Sequence, residues 1–150
     1  MNKNIKKPIF IVGCGRSGTT LFFNLLSEHP ELCRTMGYPD GEDHDGWVEH
    51  GKCVMAGIGN VNNSNYGNGI NGFHYCLHMD EQDVSDEVID AMHKHYWENV
   101  LHKKEERIIT KQPHLSNKLK YVLGIFPDAK FIHIVRDCQP VVASWVFIDE

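Results

Sequence analysis

The chain has 150 residues, enough for one domain with a real core, and its 15 basic and 20 acidic side chains give a net charge of −5. No nucleic-acid partner is expected on that balance, and no stretch approaches the roughly 20 apolar residues of a membrane helix. Five cysteines without C-x-x-C spacing indicate neither a disulfide framework nor a zinc ribbon, so a soluble, cytoplasmic protein with reduced thiols is expected.

The charge is unevenly spread. Residues 1–35 carry five basic and two acidic groups, residues 36–100 two and twelve, and residues 101–150 eight and six. The two ends are positive and the middle is acidic, which places an anionic ligand at the ends.

The first predicted element is a buried strand, Ile9-Phe10-Ile11-Val12, running into a turn with Gly13, Gly15 and Gly18. These glycines permit the close, positive-φ backbone that wraps an anion, and the following helix aims N–H groups at it. Gly13 and Gly18 keep the spacing of a nucleotide-triphosphate loop, but Thr19 stands where that loop has its lysine. Without the ammonium that neutralises β- and γ-phosphates, ATP or GTP hydrolysis is disfavoured. Arg16 offers a bidentate cation instead, and Ser17, Thr19 and Thr20 add hydroxyls.

A helix is predicted over residues 17–28, with Leu21, Phe22, Leu25 and Leu26 on one apolar face and Pro30 closing it. Residues 36–56 read as irregular and charged. The stretch 57–72, with five glycines and six asparagines in sixteen residues, reads as a long loop. A second helix is expected over residues 86–103, capped by Ser85, with Val88, Ile89, Met92, Tyr96, Val100 and Leu101 as a core stripe. His93 and His95 on it face different directions and share no metal. The last third alternates: a strand at 107–110, a helix at 116–125, a strand at 130–135 and a helix from about 139.

Strands separated by helices predict a mainly parallel sheet in a three-layer, P-loop-like α/β fold, with ligands at the carboxyl ends of the strands. Gly13, Lys111 and Arg136 each follow a strand end.

The run Gly15-Arg16-Ser17-Gly18-Thr19-Thr20, with His29-Pro30 after the helix, resembles the 5′-phosphosulfate loop of the sulfotransferase domain family. Arg136-Asp137 with Ser144 eight residues on resembles that family's 3′-phosphate motif, and Lys111-Gln112-Pro113 is similar to the Lys-x-Pro element of its tyrosylprotein-type branch. The resemblance implies 3′-phosphoadenosine 5′-phosphosulfate as donor and an acceptor hydroxyl or amine on a small molecule, carbohydrate or protein. It implies that Gly15 to Thr20 hold the 5′-phosphosulfate and that Arg136 and Ser144 hold the 3′-phosphate. Lys111 would stabilise the bridging oxygen as the S–O bond breaks.

The base is taken from the acidic run Gly41-Glu42-Asp43-His44-Asp45, with Glu42 first and His44 second; His114 could assist, although a histidine beside a proline turn is more often structural. Sulfuryl transfer needs no metal, and Asp40, Glu42, Asp43, His44, His50 and Cys53 show no recognised ligand spacing, so none is expected. The nucleotide segments are then 8–30 and 107–145, with a loop-rich and helical insert over 36–104. Against the resemblance the chain reads as a truncated domain, stopping within the helix of Ser144. A small-molecule kinase and a non-catalytic nucleotide-binding remnant remain as alternatives.

Overall fold

The computed structural model describes residues 4–36, 41–52, 79–101 and 107–146. The glycine- and asparagine-rich stretch 57–72 and residues 102–106 lie outside them. Four strands, β1 (Ile9–Gly13), β2 (Leu32–Arg34), β3 (Arg107–Lys111) and β4 (Lys130–Ile134), form one sheet in the order β2-β3-β1-β4. All three pairings are parallel, with Ile9 opposite both Ile109 and Lys130, and Arg34 opposite Ile109. The register brings Gly13, Lys111 and the segment after Ile134 to a single edge of the sheet. A parallel sheet of this kind places its loops at that edge as a ligand site.

The pleat sorts the strand side chains between two faces. On one face Phe10, Val12 and Ile108 meet Trp47, Met92, Tyr96, Tyr121, Val122, Ile125 and Phe126 in the main core. Ile11 and Ile109 pack on the other face against Phe23. The main core is contributed by α2 (His44–Glu49), α3 (Asp86–Asn99) and α4 (Leu119–Ile125), whereas α1 (Thr19–Ser27) covers the second face. Two indole and phenol hydrogen bonds fix the helical layer: Trp47 Nε1 donates to Tyr96 Oη at 2.9 Å, and Tyr121 Oη donates to the Gly51 carbonyl at 2.5 Å. Burial raises the Tyr96 hydroxyl well above the usual phenol range, so it is a neutral structural group.

Several expectations are revised. The face of Leu21, Phe22, Leu25 and Leu26 is only partly turned to the core: α1 buries Thr19 and Phe23 and packs Leu26 beside them, while Leu21 is 76% and Leu25 68% exposed. The run Leu-Phe-Phe-Asn-Leu-Leu is apolar nearly all round, so periodicity alone does not choose its inward side. Residues 36–56, read as irregular, contain the six-residue α2. Strand β2, three residues long, is too short to leave a pattern. The helix expected at 116–125 splits into a 3-10 turn at Pro113–Asn117 and α4, because Lys118 takes a non-helical conformation at φ −128° and ψ 26°.

Other expectations hold. Ser85 caps α3 by accepting from the Val88 N–H, and Val88, Met92 and Tyr96 are its buried residues. The helix ends at Asn99 rather than reaching 103. His93 and His95 do point apart, the first between the Ile5 N–H and the Ile125 carbonyl, the second to Asp43. Helix α5 (Cys138–Val146) follows β4, and it leaves Val142, Trp145 and Val146 more than half exposed. Among the described residues no helix is long and apolar enough to cross a membrane.

Candidate active site

The turn between β1 and α1 is built on two glycines with positive φ. Gly13 has φ 152°, and a Cβ there would stand 2.5 Å from the Ile134 carbonyl oxygen of β4. Gly18, at φ 95°, caps α1 in the left-handed region. Arg16 shares that region at φ 67°, a strained conformation for a side-chain-bearing residue, and one that ligand-holding turns often contain. Ser116, absent from the sequence-based list, anchors the turn from below: Gly13 N donates to its hydroxyl at 2.9 Å, and the hydroxyl also lies 3.2 Å from the Gly13 carbonyl. No sequence signal separates Ser116 from any other serine near a helix start.

The second strand tip closes on the first. Arg136 Nη1 donates to the Arg16 carbonyl at 3.2 Å, and Arg16 Nε donates to Ser144 Oγ on α5 at 2.9 Å. The structure thus brings Arg136, Ser144 and the glycine turn together. Both arginines are exposed, and Thr19 and Ser17 are buried within the turn. Trp145 covers Gly15, where a Cβ would meet the indole at 3.0 Å.

Lys111 arrives from the end of β3. Its ammonium donates to Thr20 Oγ1 at 2.8 Å and lies 2.7 Å from Glu42 Oε1. The positive charge that Thr19 fails to supply inside the turn is therefore delivered beside it from the neighbouring strand.

Glu42 is carried to this lysine by the segment that follows β2. Thr35 Oγ1 donates to the Gly41 carbonyl at 2.5 Å and also approaches Thr110 Oγ1 at 3.0 Å, pinning the segment to the sheet edge. Gly41 itself sits at φ 84° with Phe23 so near that a Cβ would fall 2.3 Å from its ring. Immediately after Glu42, Asp43 caps α2 through the Gly46 N–H at 3.3 Å and pairs with His95 Nε2 at 2.8 Å. Glu42 and His44 are thereby held inward, at 6% and 7% exposure.

Around Glu42 the geometry is asymmetric. Oε1 faces Lys111, whereas Oε2 contacts His44 Nε2 and lies 3.8 Å from His114 Nε2. Burial pushes the Glu42 carboxyl up, but hydrogen bonding to His44 and Lys111 and the lysine's charge outweigh it, and the net shift is downward. Glu42 is thus ionised at neutral pH. His114 is shifted down, first by burial and then by His44. The structure puts His114 beside Glu42 and His44. Of the other acidic and metal-capable residues named from the sequence, Asp43 is a helix cap, His50 lies against the His95 ring at 4.9 Å, and Asp40 and Cys53 fall outside the described residues.

This arrangement can grip an anion at the turn, a second anion at Arg136, and an acceptor proton at Glu42. The chain is 31% identical over 152 residues to protein-tyrosine sulfotransferase 1 of Danio rerio, covering 92% of this chain and 35% of that protein. It is 25% identical over 173 residues to omega-hydroxy-beta-dihydromenaquinone-9 sulfotransferase Stf3 of Mycobacterium tuberculosis, covering 94% of this chain and 45% of that protein. The crystal structure of sulfotransferase STF1 from Mycobacterium tuberculosis H37Rv shares the fold at a TM-score of 0.50 and 17% identity, over 95% of this chain and 49% of that one. The chain therefore spans less than half the length of these relatives. The profile of the sulfotransferase family matches residues 8–148, and the chain belongs to that family.

Proposed function

We propose that the protein takes part in sulfuryl transfer from 3′-phosphoadenosine 5′-phosphosulfate to an acceptor hydroxyl or amine. The observation that supports this most is the meeting of the two strand tips, where Arg136 bonds the Arg16 carbonyl and Arg16 bonds Ser144. One nucleotide would bring phosphates to both ends of that span. The residues fit such a donor: two exposed guanidinium groups, a turn with space above Gly18, and a lysine at its rim.

In this reading Gly15 to Thr20 hold the 5′-phosphosulfate, and Arg136 and Ser144 hold the 3′-phosphate. Lys111 balances charge growing on the bridging oxygen. Glu42, ionised and beside Lys111, accepts the acceptor's proton, with His44 as the residue next in line. The in-line displacement asks little covalent work of the protein, so alignment of these groups is the main contribution. The acceptor is a small molecule, a carbohydrate or a protein side chain. A reducing, cytoplasmic setting suits the exposed thiols of Cys14 and Cys138.

Calorimetry with adenosine 3′,5′-bisphosphate tests the reading. Binding is expected, and Arg136→Ala weakens it by about 1.5–3 kcal/mol, the worth of charged hydrogen bonds. Affinity for the analogue lacking the 3′-phosphate stays nearly constant in that variant. Equal losses for both nucleotides would contradict the assignment of Arg136.

A further inference from the structure

We infer that His93 is a pH-operated clasp: as a neutral ring it ties the segment before β1 to the helical layer, and its protonation sets that segment free. The ring, carried on α3, stands between two backbone groups that are far apart in sequence. Its Nδ1 accepts from the Ile5 N–H at 2.9 Å, and its Nε2 lies 3.1 Å from the Ile125 carbonyl at the end of α4. A ring nitrogen that accepts carries no proton, so the first contact fixes the tautomer and leaves the Nε2 proton to be donated to Ile125. One side chain thus joins three parts of the fold, but only while it is neutral.

Protonation puts a hydrogen on Nδ1, facing the hydrogen of the Ile5 amide. Turning the ring over does not help, because both nitrogens of an imidazolium are donors. The bond to Ile125 survives, since Nε2 still donates, and the loss falls on the N-terminal side alone. Ile5 is 4% exposed and belongs to the main core, whereas Asn4, Lys6 and Lys7 around it are exposed. Nearer β1 the chain is held by Arg107 Nε, which donates to the Lys7 carbonyl at 2.9 Å, and by the Lys130 N–H, which donates to the Pro8 carbonyl at 2.8 Å. His93 is the outermost of these three ties, so opening it frees residues 4–6 and leaves the sheet intact.

The surroundings hold the ring neutral at pH 7. It meets the Phe126 ring edge-on at 4.8 Å between centroids. Burial lowers its affinity for a proton, the Ile125 carbonyl and the carboxylates of Asp128 and Asp90 oppose that, and the net shift is downward. Asp90 belongs to α3 itself, Asp128 to the turn between α4 and β4, and Lys6 and Lys7 flank Ile5. The clasp is therefore at full strength above the ordinary histidine value of 6.5 and weakens as pH falls from there through the lowered value.

Nitrogen-15 and amide-exchange NMR of the full chain, between about pH 8 and about pH 5, tests the clasp. At neutral pH the His93 ring should show an unprotonated Nδ1. As the ring titrates, the protection factor of the Ile5 amide should fall about tenfold, the scale of a buried donor losing its acceptor. The amides of Phe10 and Ile109, buried in the sheet, should keep theirs. In His93→Asn, whose side-chain oxygen reaches the place of Nδ1 and does not titrate, the step at Ile5 should vanish. An Ile5 amide whose protection does not follow the His93 titration, or a ring protonated at Nδ1 at neutral pH, would overturn the clasp. Equal losses at Phe10 and Ile109 would overturn it too, since they mark unfolding of the whole domain. If His93→Asn does not fold, the parent spectra decide alone, because ring and amide are read in one sample.

Discussion

Two cationic centres lie at the same edge of the sheet, and they are finished in opposite ways. Lys111 is 3% exposed, with its ammonium between Glu42 and Thr20. Arg16 and Arg136 stand in solvent, with Arg136 donating to the Arg16 carbonyl and Arg16 to the Ser144 hydroxyl. A buried charge must be neutralised by the protein itself, or its lost hydration is not offset. An exposed guanidinium keeps its water and can wait for an anion. The inner centre is therefore neutralised within the fold, and the outer one is left to solvent.

The sharpest way to break this comparison is Lys111→Ala, which leaves the Glu42 carboxylate buried without its cation. A loss of about 3–5 kcal/mol of stability is expected in urea unfolding. A change below about 1 kcal/mol would show that water already serves the inner centre. Arg136→Ala, by contrast, should leave unfolding within about 0.5 kcal/mol of the parent while reducing bisphosphate affinity as stated above.

Gly41→Ala probes how Glu42 is carried inward. A methyl group at positive φ and against Phe23 should cost about 1–3 kcal/mol, read as a lower urea midpoint. A neutral result would mean that Phe23 gives way to the methyl group and that the close approach at Gly41 does not fix the position of Glu42.

Acid titration sharpens the contrast further. Because the folded Glu42 carboxyl lies below its ordinary value of 4.5, it releases its proton more readily folded than unfolded. Its stabilising contribution is complete above 4.5 and is lost as pH falls through the lowered value. The stability gap between the parent and Glu42→Gln should thus narrow in acid; a constant gap would place the ionisation elsewhere. The smallest effect is expected of Ser144→Ala, about 0.5–1.5 kcal/mol in nucleotide affinity from one hydrogen bond, measured by calorimetry.

The sheet and its strand-end residues were legible because both rest on local signals. Ile9 to Val12, the glycine spacing and the β3 and β4 runs carry their pattern within a few residues, and the observed strands follow them. What was not legible depends on distant packing. The side of α1 that is buried is selected by Ile11 and Ile109, and a uniformly apolar run holds no record of that choice. His114 entered the Glu42 cluster only through a 3-10 turn following β3, and Ser116 reached Gly13 the same way. Glu42 was found from composition, yet its direction is fixed by Thr35 and Asp43, whose contacts no spacing rule contains.

The bare α-carbon at position 13 has a wider meaning. At φ 152° a methyl on this residue would be aimed at the Ile134 oxygen, so the backbone of Gly13 holds a conformation that only hydrogen permits beside β4. A larger residue there would pry the strands apart and move Arg136 away from Arg16, lengthening the gap a nucleotide would have to bridge. The ruler of this cleft is an atom that the protein omits.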